Sequence, residues 1–151
     1  MAGALDEEIM RLALAEARVA SSFGDVPVGA VIARSGEVVA RAGNARERSQ
    51  DPTAHAEIVA VRTAAGRLGT WHLEGCTIYV TLEPCAMCAG ALVLARIDRV
   101  VFGAADPKAG FVGSLGDLVR DPRLNHAVEV ESGVLADDCG ELLRDFFRDR
   151  R

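Results

Sequence analysis

An eleven-residue apolar run, residues 85–95, constrains the fold of this chain more than any other feature. It is much shorter than the roughly 20 residues that a membrane-spanning helix needs. Residues 85–96 are therefore predicted to form a helix that is buried nearly all round inside a protein core. Strands are predicted on either side of it, at 77–82, where Pro84 ends the strand, and at 97–102. This strand, helix, strand order indicates a layered α/β domain.

The remaining elements continue the same alternation. An amphipathic helix is predicted over 5–22, and Gly24 ends it. Ser35 and Gly36 have the character of a two-residue turn between two strands. The other predicted elements are strands at 28–34, 37–44 and 128–131, a loop at 45–52, helices at 54–68 and 137–148, and a short helical piece near Leu118. The 151 residues are expected to form one domain, with a mixed sheet covered by helices on both faces.

Composition excludes several classes of protein. Hydrophobic residues make up 50% of the chain and charged residues 26%, a balance that argues against disorder. Asp6, Glu7 and Glu8 precede any long apolar stretch, so no secretory signal is predicted and a cytoplasmic location is expected, without a membrane. The net charge of -5 is unevenly distributed, because residues 31–50 carry four arginines and two glutamates. A basic patch is therefore compatible with the acidic total.

Four residues carry the chemistry. Cys85 and Cys88 are three positions apart at a predicted helix start, which places both sulfurs on one face. Two thiolates and the imidazole of His55 are a typical zinc set, and three protein ligands leave the fourth position open, as in catalytic zinc sites. Glu57, two residues after His55, is suited to exchange protons with a water in that position. The sequence therefore predicts a catalytic zinc site.

The two cysteines are also compatible with sites of a different kind. A C-x-x-C pair alone fits structural zinc or a redox pair. Cys76, Cys139, His72 or His126 could complete a four-ligand structural site, but Glu57 would then have no role. Cys76 and Cys139 are expected to be small buried apolar side chains. Glu83, just before Pro84, is interpreted as an ordinary turn residue.

The H-x-E at 55–57 and the P-C-x-x-C at 84–88 together form the signature of zinc-dependent nucleobase deaminases. Beyond the signature, the chain resembles the bacterial tRNA-specific adenosine deaminases over most of residues 5–151. The segments that carry this resemblance are 27–31, 51–58, 81–90, 100–104, 113–115, 125–126 and 145–148. The resemblance implies a three-layer α/β/α, cytidine-deaminase-like domain with a mixed five-stranded sheet.

The resemblance also implies an activity. His55, Cys85 and Cys88 would bind one Zn²⁺ per chain, and Glu57 would be the proton shuttle. The expected reaction is hydrolytic deamination of adenosine to inosine by zinc-activated water, at the wobble position of an arginine tRNA. The family is homodimeric, so a homodimer that binds the anticodon arm of tRNA is expected.

Several further positions match family residues that contact substrate. Asn44 is expected to hydrogen-bond the base, with Val28 and Ala56 beside it in the pocket. Other matching positions are expected to contact flanking RNA: Asp106, Lys108, Arg148, Arg150 and Arg151.

Two competing functions remain. A free-base or nucleoside deaminase acting on guanine or cytosine would share the whole zinc set, but it would not need the exposed groups at Arg46, Arg48, Lys108 and 148–151. A catalytically silent module that binds zinc and RNA would not need Glu57.

Overall fold

The computed structural model describes residues 3–150. Helices and strands alternate through the middle of the chain, as predicted. In chain order the elements are α1 (Ala4–Ser22), β1 (Gly29–Arg34), β2 (Glu37–Gly43), α2 (Arg46–Ser49), α3 (Ala56–Leu68), β3 (Cys76–Leu82), α4 (Ala86–Leu94), β4 (Arg99–Ala104), β5 (Glu129–Ser132) and α5 (Ala136–Arg148). None of the helices in the described range is long and apolar enough to cross a membrane.

The strands form one five-stranded sheet in the order β2-β1-β3-β4-β5. β1 is antiparallel to both β2 and β3, whereas β3, β4 and β5 are mutually parallel. The predicted α/β class with a mixed five-stranded sheet is confirmed. Because parallel strands end at the same edge, Leu82 and Ala104 lie side by side where β3 and β4 finish.

Alternating residues of each strand fill two separate cores. On one face, Ile32 and Ile78 pack with alanines and leucines of α3 and α4. On the other face, Val31 and Tyr79 pack against α1 and α5. Each face is covered by a pair of helices, so the sheet is the middle of three layers.

Two local predictions are wrong because contacts beyond one helical turn decide them. The segment predicted as a loop contains the short helix α2, since the Asp25 carboxylate accepts the N–H groups of Glu47 at 2.7 Å and Arg48 at 3.4 Å. In the described chain, the segment near Leu118 forms turns rather than a helix. There the Leu118 N–H donates to the carbonyl of Phe111, a partner outside any local helix.

Helix α3 begins two residues later than predicted. The residues before it form a turn, in which the Asp51 carboxylate accepts the Thr53 N–H at 2.9 Å and the Thr53 hydroxyl at 2.7 Å. His55 keeps an extended backbone and occupies the position before the helix.

Helix α4 is less buried than predicted, since Met87 is 37% and Leu94 73% exposed. The two residues are seven positions apart, so they lie on the same side of the helix. One side of the apolar run therefore faces outward.

Candidate active site

The three predicted metal ligands meet at the starts of two helices. His55 directly precedes α3, Cys85 directly precedes α4, and Cys88 lies in the first turn of α4. The His55 Nδ1 atom is 3.6 Å from the Cys85 sulfur and 3.5 Å from the Cys88 sulfur. All three ligand atoms lie within 4.8 Å of one another. Both His55 and Cys85 have an extended backbone at these helix starts.

Hydrogen bonds between these groups shift their protonation. The hydrogen bond from Cys88 lowers the pKa of Cys85 to about 3, and His55 adds to the effect. The same hydrogen bond, together with burial, raises the pKa of Cys88. The hydrogen bond between His55 and Cys85 raises the pKa of His55. Cys85 is thus a thiolate at neutral pH, the form in which cysteine binds metals.

The donor set fits zinc. One imidazole nitrogen and two sulfurs converge. These soft and borderline donors favour zinc over cations that prefer oxygen ligands. In the described part of the chain, no other group of three or more histidine, cysteine or acidic side chains converges in this way.

The alternative four-ligand structural site is not formed. Cys76 and Cys139 are buried and unpaired by disulfides, in agreement with the prediction that they are small core side chains. His126 Nε2 is bonded to the carbonyl of Ile97 at 2.7 Å, and His72 lies beside Glu74 at the surface. None of these four residues joins the triad.

Glu57 is the acidic group of the site. It is 4% exposed, in the first turn of α3, and lines the same pocket as His55 and Cys85. Burial raises the pKa of Glu57 to about 7. A carboxyl group with such a pKa is suited to acid and base chemistry near neutral pH.

The pocket has a volume of about 210 Å³ and lies at the edge of the sheet where β3 and β4 end. The predicted substrate residues Val28, Asn44, Ala56 and Asp106 all line it. Arg46, expected from the sequence as an exposed cation for RNA, also lines it. Further lining residues were not predicted from the sequence: Val26, Leu82, Glu83 and Ala109.

Asn44 is fixed in the pocket wall. Its side-chain N–H donates to the carbonyl of Val26 at 3.2 Å, and its side-chain oxygen accepts the N–H of Arg46 at 3.3 Å. The side chain is buried, and one amide hydrogen remains beyond these contacts. Asn44 therefore offers an oriented polar group to a bound molecule.

Two of the predicted cations, Lys108 and Arg150, line neighbouring clefts outside this pocket. Lys108 lines an apolar cleft of about 730 Å³ between the loop 105–109 and α5, together with Arg144 and Phe147. Arg150 lines a second cleft of about 390 Å³ with Phe23 and Arg46.

Three of the predicted cations contact other side chains of the protein. The Arg150 guanidinium lies 3.7 Å from the centre of the Phe146 ring. Arg148 is exposed and paired with Asp145 at 2.5 Å. Arg48 lies over the Phe23 ring at 4.2 Å. Arg151 lies outside the described residues.

Glu83 is not an ordinary turn residue, so that interpretation is wrong. It is 2% exposed, and its carboxylate accepts hydrogen bonds from Asp106, Val112 and Ser114. All three donors lie more than twenty positions further along the chain, so no local pattern could reveal them. The signal that the sequence did offer was a charged residue between a buried strand and the Pro84-Cys85 motif.

Comparisons with known proteins agree on one family. The family model for MafB19-like deaminases matches residues 5–151. The tRNA-specific adenosine deaminase of Bacillus subtilis is 53% identical over 146 residues, which cover 97% of this chain and 91% of the relative. The enzyme of the same name from Aquifex aeolicus is 48% identical over 145 residues, covering 96% of this chain and 95% of the relative.

Solved structures show the same similarity. One, from a study of A-to-I editing by deaminases at the wobble position of transfer RNA, has a TM-score of 0.87 and 46% identity, covering 90% of this chain and 99% of its own. A guanine deaminase from Nitrosomonas europaea has a TM-score of 0.81 at 24% identity, covering 97% of this chain and 85% of its own. The second similarity concerns the fold alone.

Proposed function

Since the chain belongs to the tRNA-specific adenosine deaminase family, we propose that it converts adenosine to inosine at the wobble position of a tRNA, with an arginine tRNA as the expected substrate. The observation that carries this proposal is that the His55, Cys85 and Cys88 ligand atoms converge beside a pocket that His55, Cys85 and the buried Glu57 line together. The proposed enzyme is a hydrolase formed by one deaminase domain.

His55, Cys85 and Cys88 would hold one Zn²⁺ per chain. Their imidazole nitrogen and two sulfurs lie close enough together for a single ion. Zinc, when bound, acts as a Lewis acid that makes water a stronger acid at neutral pH. The start of α4 adds a favourable field for the thiolates, because the partial positive charge of a helix lies at its N-terminus.

Glu57 would move the protons. Water adds to C6 of the adenine ring, and Glu57 transfers one of the water protons to the ring nitrogen N1. Glu57 then carries the remaining hydroxyl proton to the amino group, the C6–N bond breaks, and ammonia leaves. Adenosine and water thus give inosine and ammonia. The buried position of Glu57 beside His55 supports this role.

Three residues would position the base. Asn44 would donate its remaining amide hydrogen to the ring, because both ends of its amide are already held by main-chain groups. Val28 and Ala56 would provide the apolar walls of the pocket. A pocket with apolar walls and a few oriented polar groups is typical of small-ligand sites.

Flanking nucleotides would lie in the clefts beside the pocket. Asp106 and Lys108 are on the loop at its mouth, and Arg148 and Arg150 are at the end of α5. Arginine and aromatic side chains in contact, as at Arg150 and Phe146, are suited to stacking with bases. The acidic net charge does not oppose this proposal, since attraction depends on the local field.

We also propose a homodimer that works in the cytoplasm with its tRNA. The exposed apolar side chains Met87 and Leu94 on α4 support an interface on that helix. Light scattering of the purified protein tests the dimer.

The proposed function is tested by product analysis. The protein is incubated separately with an arginine tRNA anticodon stem-loop that carries adenosine at the wobble position, with free adenosine, with guanine and with cytosine. Inosine in the stem-loop and no product from the free bases is the expected result. Turnover of guanine or cytosine without turnover of RNA would instead identify a free-base deaminase. If no substrate gave a product, the result would favour a catalytically silent module that binds zinc and RNA.

A further inference from the structure

Glu83 is a buried carboxylate at the end of β3 that the proposed reaction does not use. One of its oxygens accepts the main-chain N–H of Asp106 at 2.9 Å. The other accepts the main-chain N–H groups of Val112 and Ser114, each at 3.0 Å, and the Ser114 hydroxyl also donates to the carboxylate. Every one of these donors belongs to the loop 105–114. Both oxygens are therefore used to hold a single segment of the chain.

The held segment forms the mouth of the pocket. Asp106 and Ala109 line the pocket itself, and Lys108 lines the neighbouring cleft. The Asp106 carboxylate in turn accepts the N–H groups of Lys108 at 3.1 Å and Ala109 at 3.2 Å. Glu83 thus fixes the main chain of Asp106, and the Asp106 side chain fixes the main chain of the two residues Lys108 and Ala109.

The loop also rests directly on the segment that leads to the metal ligands. The Phe111 N–H donates to the carbonyl of Pro84 at 2.9 Å. Gly110 is so close to Glu83 that a Cβ atom there would lie 2.3 Å from the carboxyl carbon, so any larger residue would displace the Glu83 carboxylate. Cys85 follows two positions after Glu83, which makes the loop and the thiolate segment one connected unit.

We propose that Glu83 is a positioning residue for substrate selectivity, which holds the loop 105–114 in a fixed place relative to Cys85 before RNA binds. This inference rests on the proposed function, because the loop is the part expected to meet nucleotides beside the target base. Binding sites are most selective when a supporting layer of hydrogen bonds holds the contacting groups in place. A charged acceptor suits this task, since hydrogen bonds to ionised groups are stronger than neutral ones.

Ser114 provides the first test. Ser114→Ala removes one donor to Glu83, whereas Ser114→Thr keeps a hydroxyl. We expect Ser114→Ala to raise KM for the anticodon stem-loop about tenfold, with kcat within about twofold and metal content unchanged. Ser114→Thr is expected to restore KM. Ser132→Ala is the matched control, because Ser132 is an exposed serine at the end of β5 that is not among the donors to Glu83.

Glu83→Gln provides the second test. Glutamine places an NH₂ group against main-chain N–H groups, so the loop loses part of its attachment while side-chain size is kept. We expect the preference for the natural flanking nucleotides over a stem-loop with those nucleotides exchanged to fall about tenfold or more. Should this variant fail to fold, the Ser114 pair decides alone.

The outcomes separate the two proposals. If the unmodified protein does not deaminate the stem-loop, the proposed function is wrong. If it does, but the variants keep its KM and its flanking preference, the inference about Glu83 is wrong. An equal loss of kcat on all substrates, with the preference unchanged, would also overturn the inference, since it indicates only a smaller folded fraction.

Discussion

Gly103 of β4 and Cys139 of α5 are in such close contact that a Cβ atom on Gly103 would lie 2.4 Å from the Cys139 sulfur. Both residues are buried, and the neighbouring carbonyl of Thr81 would lie 2.9 Å from the same atom. Helix α5 therefore packs directly on the backbone of β4. This contact sets how closely α5 approaches the edge of the sheet that forms the pocket.

Gly103→Ala is expected to destabilise the protein by about 1–3 kcal/mol, because an added methyl group overpacks a filled core. Urea unfolding measures the free energy. Cys139→Ala, combined with it, should recover part of the loss, since the sulfur is removed while the Thr81 carbonyl remains. The control is Gly66→Ala in α3, where nothing lies within 4 Å of the new atom. Equal costs at the two glycines would contradict this account of the packing.

The triad of His55, Cys85 and Cys88 gives a prediction for metal content. We expect about one zinc per chain in the purified protein, and much less in Cys88→Ser, measured by plasma emission spectrometry. Chelation of the metal should abolish deamination. Cys76→Ala is the control, because Cys76 is a buried cysteine on β3 that does not join the triad. Similar metal loss in both variants would exclude the proposed ligand set.

The Arg99 guanidinium beside Asp6 holds the pKa of that carboxyl below its usual range. The two form a double contact of 3.0 and 2.7 Å that attaches α1 to β4. The folded pKa is lowered, so the stabilisation is complete above the unfolded value of about 3.9 and is lost as pH falls through the folded value. Asp6→Asn should cost about 2 kcal/mol at pH 7.

The pH dependence provides a check. The stability difference between the unmodified protein and Asp6→Asn should be constant from pH 7 to about 5 and should shrink below about pH 4. Glu7→Gln is the control, because Glu7 is 43% exposed and its pair with Arg11 is 3.9 Å long. It should change stability by less than about 1 kcal/mol at any pH. A difference that widened in acid would refute the assigned sign.

Most of the fold could be predicted because it depends on local patterns. The strand at 77–82 and the helix after it follow from periodicity and from Pro84, and each lies within two residues of its observed position. The error at α2 occurred because a distant side chain decides the local structure. Helix α2 exists because Asp25 caps it, and the sequence places Asp25 more than twenty residues away.

Some residues of the candidate site could be predicted from the sequence, and others could not. The convergence of His55, Cys85 and Cys88 could be predicted because two cysteines three positions apart at a helix start, with a histidine, are a typical zinc set. Glu83 could not be predicted, since its partners lie 23 to 31 positions away in a loop without regular structure. Val26 and Leu82 were missed because an apolar pocket wall has the same residue types as a core.

Glu57→Gln is expected to lower the deamination rate about 10²-fold or more, since the amide cannot transfer protons. Metal content should stay near one per chain, because Glu57 is outside the triad. Single-turnover assays on the stem-loop measure the rate. Glu8→Gln, at an exposed glutamate of α1, should leave it unchanged. An active Glu57→Gln variant would show that another group moves the protons.

RNA affinity should fall steeply as salt rises, because each neutralised phosphate releases counterions. Lys108 and Arg148 are expected to contribute differently to this salt dependence, because only one of them already has an ion pair. Lys108 has no ion pair within residues 3–150, whereas Arg148 is already paired with Asp145 at 2.5 Å. Lys108→Ala should therefore reduce the slope of log affinity against log salt by about 1. Arg148→Ala should reduce the slope by less, since Asp145 already neutralises part of its charge.

The control for this comparison is Arg11→Ala, which removes an exposed arginine of α1 that lines neither the pocket nor the two clefts beside it. Filter binding of the stem-loop between 50 and 200 mM salt, a range of about fourfold, resolves a change of one in the slope. Equal slopes for Lys108→Ala and Arg11→Ala would mean that the loop 105–109 does not contact phosphate. Affinity that did not depend on salt at all would favour a deaminase of free bases, because such substrates carry no phosphate to neutralise.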